Sequence, residues 1–240
     1  MKCLRKRKWC MAVVCLLALA VLVAGAWFFF TKRAQRKEYE AFKQELLQYR
    51  EAKLEQYRRE NATFAPREVE VAFLGDSLTD GYDVAAYYPQ YVTVNRGIGG
   101  DKTYDLKARL QISAYELQPQ VVVMLIGANN MDAMFEDYES ILQDLQKNLP
   151  ETKVVLLSLT AMSGELWGPK NQLAAYNNVT IKLLAQKYGF TFVDIFSVLY
   201  DVSLGEINPA YTVDGGHLTA EGYEVITAEL TPVLQELLGK

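Results

Sequence analysis

Ser77, Asp214 and His217 are the residues whose types and settings suit nucleophilic chemistry. Ser77 ends the run Gly75-Asp76-Ser77, just past the apolar stretch Val69–Leu74. A serine hydroxyl is a weak nucleophile until a neighbouring base takes its proton. His217 is the only histidine in the chain, and imidazole is the side chain that ordinarily titrates near neutrality. Asp214 precedes it by three residues across Gly215-Gly216, a spacing that lets a carboxylate turn back onto the ring and fix its tautomer. Each residue also has a plainer reading. Asp and Ser are favoured helix caps, and a lone histidine can sit idle on a surface.

Acyl transfer further requires donors for the developing oxyanion. Glycine backbone N–H groups and asparagine amides serve that purpose, and both occur in Asn95-Arg96-Gly97-Ile98-Gly99-Gly100-Asp101 and Gly127-Ala128-Asn129-Asn130. Gly100, Asn129 and the N–H of Ser77 are the candidate donors, with Gly97 as an alternative to Gly100. The same glycines do not read as a phosphate cradle. They lack the Gly-x-Gly-x-x-Gly spacing, and no Lys-Ser/Thr follows.

Five apolar runs alternate with helical patterns and must position these residues. The runs are Val69–Leu74, Tyr91–Asn95, Val121–Ile126, Val154–Leu159 and Phe190–Ile195. Helical patterns cover Thr103–Leu117, Phe135–Asn148, Asn171–Tyr188 and Thr219–Leu238, the last with Thr219 as its cap. Continuous β-branched runs such as Val121-Val122-Val123 suit strands buried on both faces. The alternation implies an α/β fold with a parallel sheet covered on both sides. Ligands bind such sheets at the carboxyl ends of the strands, which is where all four polar clusters fall.

Gly75-Asp76-Ser77-Leu78-Thr79, Asn95–Asp101, Gly127–Asn130 and Asp214–His217, in this order, resemble the SGNH (GDSL) hydrolase family. The resemblance covers Val69 to the C-terminus. It implies a three-layer α/β/α sandwich with a flavodoxin-like five-stranded parallel sheet. It also implies Ser77 as nucleophile, His217 as base, Asp214 as its orienter, and Ser77, Gly100 and Asn129 as the oxyanion hole. No metal or organic cofactor is implied. The sequence departs from the family at Asn130, where the third block usually ends in Asp.

The first 60 residues carry a net charge of +8 and the remainder −12. An acidic main domain argues against a nucleic-acid partner. The three cysteines all lie in the first fifteen residues, so the main domain holds no disulfide framework. Basic residues 1–8 precede Trp9–Phe30, an uncharged run long enough to cross a bilayer and bounded by Trp9 and Trp27. A signal peptide cleaved after Ala26 is the competing reading, but the apolar character continues through Phe30. Residues 31–65 follow as a helical stalk and 66–240 as the catalytic domain. Tyr39, Phe42, Leu46 and Tyr49 form a helical stripe suited to a homodimer, which Lys53 and Gln56 break; packing of the stalk onto the domain is the alternative.

Together these features predict a single-pass membrane protein with its catalytic domain outside the cytoplasm. Its predicted activity is serine ester hydrolysis on an acylated surface glycan or lipid, with Tyr87, Tyr88, Tyr91, Trp167 and Tyr211 as candidate groove-lining aromatics. An O-acyltransferase and a non-catalytic glycan-binding module are the rival readings.

Overall fold

The structure, a computed structural model, describes residues 24–240 in full and only the backbone of residues 2–23. The chain divides into two compact units, Met1–Glu51 and Ala52–Lys240. Helix α1 (Lys2–Asn61) provides the first unit and the opening turns of the second. Among the described residues no helix is long and apolar enough to cross a membrane. Of the expected span Trp9–Phe30, only Ala24–Phe30 has its side chains described. The stripe residues Tyr39, Phe42, Leu46 and Tyr49 are exposed.

The second unit runs β1 (Val71–Gly75), α2 (Ser77–Asp80), α3 (Val84–Tyr87), β2 (Thr93–Gly97), α4 (Thr103–Ala108), β3 (Val121–Leu125) and α5 (Phe135–Asn148). It continues with β4 (Lys153–Leu157), α6 (Gly164–Trp167), α7 (Asn171–Tyr188), β5 (Thr191–Val193), α8 (Ile195–Leu199), the short hairpin β6–β7 (Tyr200–Asp201 and Glu206–Ile207) and α9 (Ala220–Leu238). The five-stranded sheet has the order β2-β1-β3-β4-β5, and every pair in it is parallel. That is the expected flavodoxin-like arrangement.

Alternation along the strands divides the core in two. Val71, Phe73, Val121, Val123, Leu125, Val155 and Leu157 pack with Ile226, Leu230 and Leu234 of α9. Their neighbours Leu74, Val122, Met124, Val154 and Leu156 pack with Leu106, Tyr138, Ile141, Leu142, Leu145 and Ile181 on the other face. The spacing of the α5 residues, three and four apart, is the buried stripe of a helix. Burying a Val or Leu side chain contributes about 1.5–3 kcal/mol each, so both layers hold the sheet firmly.

The structure corrects several boundaries. The first two strands begin two residues later than predicted and end at glycine, so Gly75 pairs with Gly97 in register. Val69 and Glu70 are buried but lead into the ladder through loop hydrogen bonds, Glu70 N–H reaching Val92 O at 2.8 Å. The fifth strand shortens to Thr191–Val193, because Asp194 caps α8 through the Ser197 N–H. The predicted helix Thr103–Leu117 breaks at Arg109, and a π-turn, Gln111–Tyr115, follows. At the break, the buried Arg109 guanidinium donates to backbone oxygens of β1 and β2.

Candidate active site

Register aligns the carboxyl ends of β1 and β2, with Gly75 between Gly97 and Leu125. The chain therefore leaves the sheet at three adjacent points, each leading into one of the motifs. Ser77 is the first residue of α2, and Asp76 caps that helix by accepting the Leu78 N–H. Tyr223 of α9 holds the far side of the turn, its O–H donating to Leu78 O at 2.9 Å.

Ser77 Oγ lies 3.0 Å from His217 Nε2. On the other side of the ring, His217 Nδ1 lies 2.8 Å from Asp214 Oδ2. Asp214 Oδ1 accepts the backbone N–H groups of His217 at 2.7 Å and Gly216 at 2.9 Å. Burial pushes the Asp214 carboxyl up, but the His217 N–H, the imidazole and the Gly216 N–H outweigh it and bring it to about 2. It is thus ionised over the whole working range and orients the ring. The loop is closed by Val213 N–H and the Thr212 hydroxyl, both donating to His217 O. Ser163 N–H donates to Gly215 O at 2.9 Å and ties it to the β4 side. The His217 and Asp214 side chains remain 40 % and 46 % exposed, so solvent and substrate reach them directly.

The donor side can be read from where each N–H goes. Gly97 N–H donates to Asn95 Oδ1 at 2.8 Å, Gly99 N–H to Asp80 Oδ2 at 3.2 Å, Ile98 N–H to Gly75 O and Asp101 N–H to Ile98 O. Gly100, at φ +80°, has no such partner among the described residues. The alternative, Gly97, is already committed. Asn129 spends one amide hydrogen on Asp101 O at 3.0 Å, leaving its second. The Ser77 N–H opens α2 and is also free of an intrahelical partner.

Asn130, the departure from the family pattern, is accounted for by its neighbours. Its Oδ1 accepts the Thr103 N–H at 3.3 Å and its Nδ2 donates to Thr103 Oγ1 at 2.9 Å. An aspartate would accept from both groups, the hydroxyl rotating to donate. The substitution reverses one hydrogen bond and keeps the tie between the loop and α4.

Sequence reasoning missed Arg109. Its Nε donates to Asp101 Oδ2 at 2.7 Å, and its other nitrogens to Arg96 O, Ser113 Oγ and Gly75 O, all buried. It thereby joins the segment before Ser77 to the segment around Gly100. Nothing in the local pattern around Arg109 signals this, because each partner comes from another element. Of the proposed groove aromatics, Tyr88 and Tyr91 are core residues, so they line nothing; Tyr87 and Tyr211 pack against the same core from its edge. Trp167 does stand beside the site, edge-on to His217 with centroids 5.9 Å apart.

A parallel α/β/α sandwich thus carries a serine, a histidine and an aspartate hydrogen-bonded in series at its carboxyl edge. Residues 73–225 match the GDSL-like lipase/acylhydrolase family, and the chain belongs to it. It is a carboxylic ester hydrolase. A GDSL-like lipase from Bacteroides thetaiotaomicron is similar at 25% identity and TM-score 0.68, over 76% of this chain and 97% of its own. A protein from Bacteroides fragilis, provisionally described as an acylhydrolase, is similar at 28% identity and TM-score 0.69, over 77% and 96%. An acetylxylan esterase from Geobacillus stearothermophilus shares the fold at 20% identity and TM-score 0.57, over 70% and 95%. No curated protein matches the chain significantly.

Proposed function

We propose that this ester hydrolase works through a Ser77–His217–Asp214 triad and an oxyanion hole formed by the N–H groups of Ser77 and Gly100 and the Asn129 amide. As Ser77 Oγ attacks the ester carbonyl carbon, His217 Nε2 takes its proton, and the three donors hold the carbonyl oxygen as charge develops on it. His217 then protonates the leaving alcohol. Water, deprotonated by the same nitrogen, releases the acid and restores Ser77. The observation carrying this reading is the unbroken series from Ser77 Oγ through both ring nitrogens to Asp214.

The substrate we favour is a short acyl group on a bulky alcohol such as a surface glycan, with a lysophospholipid as the lipid counterpart. Exposure of His217 and Asp214 supports an alcohol portion that extends into solvent. We further infer that residues 9–30 anchor the chain in the cell membrane as a single span, with the catalytic domain outside the cytoplasm. The charge-free run and the basic residues flanking it support this.

Hydrolysis of short and long nitrophenyl esters by the full chain, compared with Ser77→Ala and His217→Ala, tests the mechanism. Loss of about 10³-fold or more in kcat is expected in both; undiminished hydrolysis by Ser77→Ala would discard the triad. Adding a sugar acceptor asks whether acyl transfer competes with water, an outcome that the open site allows. Release of the chain from membranes by salt alone would contradict the anchor.

A further inference from the structure

We infer that the last turns of α1 are a working part of the oxyanion loop, and that Lys53 and Tyr57 are positioning residues for the Gly100 N–H. The inference rests on the oxyanion hole proposed above.

Tyr57 is fully buried within the second unit, against Ile98 and Ile112. Its O–H donates to Gly97 O at 2.5 Å. The Arg96 guanidinium, also without exposure, stacks 4.6 Å from the Tyr57 ring centroid and is held by Glu60 at 2.6 Å and Asn61 Oδ1 at 2.9 Å. One helical turn earlier in α1, Lys53 Nζ lies 2.8 Å from Asp80 Oδ1. The other oxygen of that carboxylate accepts the Gly99 N–H at 3.2 Å. Asp80 stands one turn after Ser77 in α2. It therefore connects three things: the helix of the nucleophile, the amide just before Gly100, and α1.

The peptides leading to Gly100 are thus fixed by α1 directly at Gly97 and through Asp80 at Gly99. There is little slack around them. A Cβ on Gly97 would lie 2.2 Å from Asp80 N, so the loop and α2 are packed backbone against backbone. A donor works in such a hole only when held where the oxyanion will be, and a displacement of about 1 Å can cost about 10²-fold in rate. Lys53 acts on Asp80 and Tyr57 on Gly97 O, so they position the loop without reacting. The sequence carried a trace of this role. Lys53 interrupts the apolar stripe of the stalk where α1 meets the domain.

The test uses the full chain with a short nitrophenyl ester, rates being normalised to active sites titrated with a serine-reactive phosphonate. Tyr57→Phe and Lys53→Met are each expected to lower kcat about tenfold while KM stays within about twofold, and Lys53→Arg to restore most of the rate. Unchanged kcat in both variants would overturn the inference. So would a loss that disappears on normalisation, since that is a folding defect alone. Ser77→Ala separates the two readings: hydrolysis that survives it fails the triad, whereas Ser77-dependent hydrolysis indifferent to Lys53 and Tyr57 fails only the role of α1.

Discussion

Asp76 and Asn130 are the two site residues whose chemistry invites direct testing. Asp76 Oδ1 accepts the Leu78 N–H at 3.1 Å, while Oδ2 is buried with no hydrogen-bond partner among the described residues. Burial pushes the carboxyl up to about 7, the Leu78 N–H opposing and nearby Asp101 adding to the rise. Between roughly pH 4 and pH 7 the folded chain therefore keeps a proton that the unfolded chain has released, and stability falls as pH rises through that window. Asp76→Asn retains the capping oxygen and removes the titration. Its stability relative to wild type is expected to increase from about pH 4.5 to about pH 7.5, by at most about 4 kcal/mol at 1.36 kcal/mol per unit. Urea unfolding at the two pH values measures this, and an unchanged offset would refute it. For Asn130→Asp, kcat/KM is expected within about threefold of wild type, under about 0.7 kcal/mol of barrier, because Thr103 can satisfy either side chain. A much larger fall would mean that the reversed hydrogen bond matters to the hole.

Arg109 shows how elements are locked to one another. Its fork spans β1, β2 and the π-turn while pairing Asp101 in the core. Arg109→Met should therefore cost about 3–5 kcal/mol, since it breaks a buried ion pair and takes the donor from Gly75 O, Arg96 O and Ser113 Oγ, and equilibrium unfolding would read that loss. A cost below about 1 kcal/mol would show that Arg109 does not lock these elements together. Arg109 also explains what the sequence could and could not convey. Strand runs such as Val121–Leu125 are legible because burial on both faces leaves only apolar residues. Ser77, His217 and Asp214, which the structure brings together, stood out because few side chains suit such chemistry. Arg109 and Tyr57 look like ordinary helix residues, since their partners lie on other elements and local spacing carries no mark of them. Strand ends slipped for a related reason: β2 runs on through Arg96 to Gly97, a poor strand former, in a segment held there by Tyr57, Glu60 and Arg109.

At the scale of the whole chain, the compact unit begins at Ala52, fourteen residues before the domain boundary expected from Pro66. A fragment starting at Ala52 is expected to fold and to hydrolyse short esters at the full chain's kcat. One starting at Ala62 lacks Lys53, Tyr57, Glu60 and Asn61, and its kcat should fall about tenfold or more. Ester turnover normalised to titrated active sites compares them; equal rates would place the end of α1 outside the working enzyme.

The ion pair and buried phenol at the end of α1 also bear on the fate of the enzyme after proteolysis. A protease cutting in the exposed stretch of α1 before Ala52 would leave a competent esterase. A cut a few residues later would release a crippled one. Two nearby peptide bonds in a single helix would then separate survival of activity from its destruction.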